Sequence, residues 1–411
     1  MDTVRLAIVG FTGYGWSLAQ QILKASAAQN CRLVAAADNQ MSKTPDRVEK
    51  LRAEGVELFD DAVKMFGALP GWCEAVYIAT GTPSHEPLTL AAFDAGFPVH
   101  LEKPPAATIQ EVDSMLDAMR RAEKFCLVGF HAVHADDVRF LKQRVVEGRL
   151  GKVRTLVCWA SWPRGRDYYS RTDWQGKLRL GTRWVLDGPA TNALCHHITH
   201  MLLLASAQPN RLAQPARVRA ELYAAGPITG HDTAAIEILT ADGQTATLLV
   251  THCGQEQFGP FLELQAERGK ATWNPKKGVE ITYADGSREF CAAPADLGRG
   301  EMIANFVQAV RANDPAGLRC SLAEARAMTL AADGAHESSQ TILRIEAAQC
   351  RTVQDEKLGP RTVVDGLDAQ LVEAAGRRCL FSDLPDAPSW AVATQPFELS
   401  GYKKFPKRFR G

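Results

Sequence analysis

Val4-Arg5-Leu6-Ala7-Ile8-Val9-Gly10-Phe11-Thr12-Gly13-Tyr14-Gly15 decides the fold of this chain. Its mainly apolar first half reads as a short buried strand, and the glycines that follow mark a tight turn opening on a helix. In that order, glycines let the backbone approach a pyrophosphate, whose charge meets the unpaired N–H groups of a helix N-terminus. Gly10 and Gly15 fit G-x-G-x-x-G, but Thr12 stands where the middle glycine belongs, with Gly13 next to it. Alone, such a turn serves equally as a plain strand–helix connection.

Asp38 tips the balance toward a dinucleotide. It ends the second apolar run, about twenty residues past the turn, where a carboxylate accepts hydrogen bonds from an adenosine ribose. A carboxylate there repels a 2′-phosphate, so NAD is expected over NADP. Lys43 and Arg47 follow closely and are placed to recruit that phosphate, which keeps NADP in view. Further on, Ala79-Thr80-Gly81-Thr82-Pro83-Ser84-His85-Glu86-Pro87 leaves another strand on the edge that lines the ligand crevice of an open parallel sheet. Thr80 and Thr82 are expected cofactor contacts. His85 has two readings of equal weight, a cofactor contact and a helix cap.

The first 130 residues alternate short apolar runs (4–9, 33–37, 75–79, 98–101, 126–129) with helix-like stretches, as βαβ units and a doubly wound parallel sheet require. After that the rhythm changes. Strand-like runs at 153–162, 218–223, 233–239, 245–252, 261–267 and 279–283 follow one another, and Ala-Asp-Gly at 241–243 and 284–286 reads as hairpin turns. The expected architecture is an α/β Rossmann domain over 1–129 and an α+β domain with an open, mainly antiparallel sheet over 130–350. Residues 351–411 are expected to be an irregular C-terminal extension, with helical pattern at 302–312 and 322–348 just before it.

Bulk properties narrow the function. Forty-seven basic residues balance forty-seven acidic ones, so no global field attracts nucleic acid or an anionic membrane. No apolar run reaches the length of a bilayer span. Ten scattered cysteines without a Cys-x-x-Cys pair read as reduced thiols of a cytoplasmic protein. Small molecules and copies of the same chain are the expected partners. The basic tail Lys403 to Arg410 reads as a solvated or subunit-crossing terminus.

Val99-His100-Leu101-Glu102-Lys103-Pro104 ends a strand abruptly in an acid, a lysine and a proline. With the glycine turn, the Thr80 to His85 stretch and a later helix around His196, it resembles the Gfo/Idh/MocA family of oxidoreductases. The resemblance runs from about Val4 to Ala348. It implies bound NAD(P), with Glu102 and Lys103 beside it, and a sugar, polyol or related hydroxy or keto substrate. It also implies a homo-oligomer, dimer or tetramer, built on an exposed face of the second sheet. Lys103 is then the catalytic lysine. Part-buried beside a positive nicotinamide, it is expected to have a lowered pKa and to exchange a proton with the substrate.

The family commonly pairs an aspartate with a histidine four residues later. Here His196 fills the histidine slot, but Asn192 replaces the acid. One helical turn is expected to bring both to one face as substrate contacts, and the proton-transfer burden shifts toward Lys103. Histidines 196 and 200 also have metal-ligand spacing, but no third ligand is evident and no metal is expected. By resemblance the Trp162-to-Gly176 loop borders the substrate, and Arg164, Tyr168 and Trp174 are the candidate contacts, since rings stack on sugar faces and guanidinium forks bind oxygens. Two rivals share the cofactor: a glycosidase that reduces and reoxidises NAD within each turnover, and a regulatory protein that only binds the nucleotide.

Overall fold

Short apolar runs closed by turn residues become parallel strands when helices bury both of their faces. The computed structural model describes residues 2–411. The chain divides into two compact units. One comprises Met1–Ala106, Gln110–Ala135 and Asp296–Arg326; the other comprises Ala107–Ile109, Asp136–Ala295 and Ala327–Gly411.

The first unit begins with β1 (Val4–Val9), α1 (Gly15–Gln29), β2 (Cys31–Ala37), α2 (Pro45–Ala53), β3 (Glu57–Phe59) and α3 (Ala62–Ala68). It continues through β4 (Ala75–Ile78), α4 (His85–Asp94), β5 (Val99–Leu101), α5 (Ile109–Arg121) and β6 (Cys126–Val128). The six strands form one parallel sheet in the order β3-β2-β1-β4-β5-β6. The order reverses between β1 and β4, which opens a crevice at their carboxyl ends. Leu6, Ile8, Leu33 and Tyr77 of the sheet form one core with Leu18 and Ile22 of α1 and with Met302, Ile303 and Phe306. The last three lie on helix Arg299–Ala312, so that helix belongs to the nucleotide unit. The expectation counted this helix in the stretch 130–350, because an apolar helical face can be read from sequence but not the sheet it covers.

The second unit holds α6 (Asp136–Val146), β7 (Val153–Ser161), α7 (Arg166–Ser170), β8 (Arg179–Leu180), β9 (Arg183–Trp184) and α8 (His196–Ala205). Then come β10 (Pro215–Ala224), β11 (Thr233–Thr240), β12 (Thr245–Thr251), β13 (Phe258–Ala266), β14 (Gly269–Asn274), β15 (Gly278–Tyr283) and β16 (Arg288–Ala292). The large sheet runs β16-β15-β14-β13-β7-β12-β11-β10 and ends on Leu343–Arg344. Its neighbours are antiparallel except β7 with β12 and β10 with Leu343–Arg344. Both Ala-Asp-Gly turns close hairpins, β11 to β12 and β15 to β16.

The C-terminal region differs from expectation. Helix Leu322–Ser339 stops short of 348, at Gln340, whose φ is +61°. Residues 351–411 are ordered structure: the hairpin Cys350–Asp355/Gly359–Val364 and helix Leu367–Arg377. Leu367, Leu371, Ala374, Phe381 and Trp390 pack against Val157, Leu249, Ala235 and Tyr223 of the central strands. Successive strand residues point to opposite faces, so Leu156, Cys158 and Ala160, also buried, belong to the other side, where α8 packs. The sheet face expected to be exposed is therefore covered, over its central strands, by the chain's own C-terminal region.

The basic tail is likewise held in place. Glu337, fully buried, accepts from the Tyr402 hydroxyl at 2.6 Å and from the backbone N–H groups of Lys407 at 2.5 Å, Arg408, and Phe409 at 2.9 Å. Phe405 and Phe409 are buried beside Trp184 and His336. One anion thus satisfies three successive amides that have no helix or sheet to pair with. Glu337→Ala should lower unfolding free energy by about 3 kcal/mol or more, since several charge-assisted bonds go at once and buried donors are orphaned. Urea melts of the full-length variant check this, and a loss below about 1 kcal/mol would assign the tail's anchoring to Phe405 and Phe409 alone.

Candidate active site

At the crevice of the first unit, packing alone dictates two of the glycines. A Cβ on Gly15 would sit 1.9 Å from the Gly10 carbonyl oxygen, and one on Gly10, at φ +86°, would sit 2.7 Å from that of Ala79. Gly13 differs: a Cβ there would meet nothing within 4 Å. The space over the turn is open, and α1 starts with no side-chain cap and no acid in its first turn. An uncapped N-terminus facing open space suits a pyrophosphate. Thr80, at the end of β4, adds a buried hydroxyl with no protein partner. The residues present therefore fit a dinucleotide.

Asp38 is nearly buried and grips the turn. Its Oδ2 accepts from Phe11 N at 2.8 Å, Thr12 N at 2.9 Å and Thr12 Oγ1 at 2.9 Å, while Oδ1 accepts from Gln40 N at 2.8 Å. Thr12 can replace the middle glycine because its side chain bonds that acid. Arg47 holds the turn from its carbonyl side, donating to Phe11 O at 3.0 Å and to Thr12 O at 2.5 Å, with its guanidinium over the Trp16 ring. Lys43 donates to Gln40 at 3.0 Å. The two cations considered for a 2′-phosphate are thus engaged within the protein.

Thr82 lies in a short turn ahead of α4 and is nearly buried. His85 sits between two backbone carbonyls. Its ring is fully buried, with Nδ1 2.8 Å from Pro104 O and Nε2 3.1 Å from Thr80 O. Burial, helped by the charge of Lys103, lowers its pKa. The ring joins the end of β4 to the Glu102-Lys103-Pro104 turn at the end of β5. Lys103 is half-buried and its peptide bond to Pro104 is cis.

Glu102 is 5% exposed, its carboxyl so close to Gly129 that a Cβ there would lie 2.8 Å from Oε1. Its Oε2 accepts from Lys103 N at 3.2 Å. Burial raises its pKa to about 7, against the opposing pull of Lys103, that backbone bond and Arg299. Three residues not singled out from sequence share this edge. The Arg299 charge acts on Tyr14 and Glu102, and His131, with Nδ1 2.9 Å from Leu297 O, is lowered to about 4 by burial and then by Arg299 and Lys103. Arg299 reaches the site from a segment almost two hundred residues downstream, a proximity no local pattern carries.

In the second unit, the loop after β7 packs largely on itself. The Arg164 guanidinium lies 4.9 Å from the Tyr168 ring centre and 5.6 Å from that of Trp162, and Arg171 lies 4.4 Å from Tyr168. The Tyr169 hydroxyl meets His252 Nδ1 at 2.9 Å. Trp174 is half-buried in the same loop.

Asn192 and His196 do not share one regular helix. Pro189–Ala193 form a π turn, Leu194 breaks it at φ −115° and ψ 11°, and α8 begins at His196. This corrects the expected i, i+4 pairing; the Gly188-Pro189 start winds the wider turn, with Leu194 N donating to Pro189 O at 2.7 Å. Asn192 Nδ2 donates to Asp187 Oδ1 at 2.8 Å, an acid not singled out from sequence. His196 is half-buried. His200 is fully buried, its ring edge-on to Trp273 with centroids 4.7 Å apart, and burial lowers its pKa to about 3. No helix among the described residues is long and apolar enough to cross a membrane.

Comparison with known proteins agrees with this fold. The model of an oxidoreductase family with an NAD-binding Rossmann fold, GFO_IDH_MocA, matches residues 4–130, and the GFO/IDH/MocA C-terminal domain matches residues 138–272. Inositol 2-dehydrogenase of Azotobacter vinelandii is 28% identical over 192 residues, 46% of this chain and 52% of that protein. D-glucoside 3-dehydrogenase of Escherichia coli is 32% identical over 121 residues, 29% of this chain and 33% of that protein. The matched region spans about half the length of these curated relatives or less. Among solved structures, levoglucosan dehydrogenase with NADH and L-sorbose has TM-score 0.69 at 18% identity, covering 82% of this chain and 97% of that one. The WlbA dehydrogenase from Chromobactrium violaceum, in complex with NADH and UDP-GlcNAcA, has TM-score 0.69 at 18% identity, covering 83% and 94%. At such identities the likeness is one of fold.

Glu102 supplies a pH test of the crevice. A carboxyl titrating near 4.5 unfolded and about 7 folded keeps its proton longer in the native state, so stability falls as pH rises through that window. Between about pH 5 and pH 8, the stability of the wild type relative to Glu102→Gln should fall by roughly 2–3 kcal/mol. Denaturant melts at both pH values measure it, and a difference independent of pH would mean that Glu102 is ionised throughout.

Proposed function

Because the chain belongs to the Gfo/Idh/MocA oxidoreductase family, we propose that it is an NAD-dependent dehydrogenase or reductase of a sugar, polyol or related hydroxy or keto compound. The observation that carries this reading is the Glu102-Lys103-Pro104 turn, clamped by His85 on the same sheet edge as an uncapped, open glycine turn. NAD, when bound, supplies the group that accepts or donates the hydride. The chain's own residues bind, orient and move the proton.

Backbone amides at 13–15 and the Thr80 hydroxyl receive the cofactor, with Thr82 close by, while Asp38 and Arg47 keep the turn in shape. Asp38 places a negative charge where a 2′-phosphate would sit, which favours NAD over NADP. Lys103 takes the proton from a substrate hydroxyl in oxidation and returns it to a carbonyl in reduction. The neutral rings of His85 and His131 add no competing charge. His196 and Asn192 hydrogen-bond the substrate, and Arg164, Tyr168 and Trp174 border it. The names of the relatives, an inositol and a glucoside dehydrogenase, support the substrate class.

Absorbance of reduced nicotinamide, screened with sugars, inositols and their keto forms, tests the activity. Turnover by the wild type is expected, with NADH bound more tightly than NADPH; NADPH preference would move control of the ribose pocket to Lys43 or Arg47. Lys103→Met should lower kcat at least about a hundredfold, with NADH affinity little changed. Near-normal kcat in that variant would remove Lys103 from the proton step.

A further inference from the structure

Asp187 is 4% exposed and lies at the junction of three segments. Its Oδ2 accepts from Gly176 N at 2.6 Å, and its Oδ1 accepts from Asn192 Nδ2 at 2.8 Å. Gly176, at φ +71°, has no room for a Cβ, which would fall 2.8 Å from atoms of Ile228 and Tyr169. Its own carbonyl accepts from Thr229 N at 3.0 Å and Gly230 N at 2.8 Å. The carboxylate therefore ties the Trp174 loop, and through it residues 229–230, to the π turn that carries Asn192.

The chemistry of this pair settles which way the amide of Asn192 points. A carboxylate accepts hydrogen bonds and offers none, so the group facing Asp187 must be the NH₂. The other end of that amide is a carbonyl oxygen, an acceptor. An aspartate in that place would also present an acceptor, but with a charge. Here the acid is one side chain away, at the buried Asp187.

Building on the dehydrogenase reading above, we propose that Asp187 is a positioning residue that fixes Asn192 as a neutral hydrogen-bond acceptor for a substrate hydroxyl. The group received is a donor such as an alcohol of a polyol or sugar, and an anionic substituent is disfavoured at that point. The same geometry explains the missing acid. Two carboxylates within hydrogen-bond distance cannot both ionise near neutral pH without a large penalty, so Asp187 and an acid at 192 exclude each other.

A reciprocal exchange tests this. The variants are Asp187→Asn, Asn192→Asp and the double variant with both. Substrate KM and kcat are followed across about pH 5–9, with NADH binding by fluorescence as the check that the nucleotide unit is folded. Asp187→Asn frees the amide at 192 to flip and should raise substrate KM about tenfold while leaving NADH affinity unchanged. Asn192→Asp should tolerate low pH, where the two carboxyls share a proton, and lose kcat/KM as pH rises and the second proton leaves. In the double variant one carboxylate and one amide face each other again, so the alkaline loss should vanish and KM return to within about threefold of wild type.

Unchanged KM in Asp187→Asn, with only the melting temperature lowered, would overturn the proposal and leave Asp187 a structural residue. So would a double variant no better than Asn192→Asp alone. If Asp187→Asn does not fold, the alkaline limb of Asn192→Asp and its loss in the double variant carry the test. A wild type that turns over no polyol, sugar or keto form removes the dehydrogenase reading and this proposal with it. A wild type that turns over while the variants keep its KM removes only the proposal.

Discussion

Backbone crowding at the first strand–helix turn is the constraint on which the nucleotide unit rests. The carbonyl of Gly10 lies where any side chain at 15 would have to begin, and the carbonyl of Ala79 stands in the same relation to position 10. β1, α1 and β4 can approach this closely only because two glycines have no Cβ. That approach puts the amino end of α1, which has no side-chain cap, at the point where strand order reverses, beside the open space at Gly13. An anion site follows from geometry before any ligand is considered.

The buried acids do a second, shared job. Asp38 gathers the amides of Phe11, Thr12 and Gln40; Asp232 those of Ala225 and Gly226; Glu337 those of three residues of the tail; and Asp187 that of Gly176 together with the amide of Asn192. Each is an acid that gathers loop N–H groups. Irregular backbone near a site has no ladder to satisfy its donors, and an internal anion does so while fixing the loop's shape. His85 lies between the ends of β4 and β5, its ring nitrogens 3.1 Å from Thr80 O and 2.8 Å from Pro104 O, and its single N–H when neutral bonds one of these two carbonyls.

Much of this was legible in the sequence where the signal is local. The strand–glycine–helix order, the carboxylate at 38, the abrupt end of β5 in Glu102-Lys103-Pro104 and the Ala-Asp-Gly hairpins are each set by residues within one element and its turn. What was not legible depends on distance. Helix Arg299–Ala312 shows its apolar face but not its partner, so Arg299 could not be joined to Tyr14 and Glu102. Asn192 and His196 have helical spacing, but the wider turn begun at Gly188-Pro189 interrupts the regular helix between them. Prolines and aromatics after 351 read as irregular because Phe405, Phe409 and Trp390 are buried by tertiary packing rather than by any periodic face. Asp187 carries no local signal, since its partners at 176 and 192 are set by tertiary structure.

The central claim is that a dinucleotide held at this edge exchanges hydride with an alcohol or carbonyl while Lys103 handles the proton. Deuterium transfer tests it most directly: NADH labelled at the nicotinamide C4 is incubated with the protein and a panel of keto-sugars and keto-inositols, and the products are read by mass spectrometry. One deuterium on the carbinol carbon of a reduced product, with unlabelled solvent hydrogen on its oxygen, is the expected result. NADH that binds at the glycine turn but yields no deuterated product from any member of the panel would contradict it.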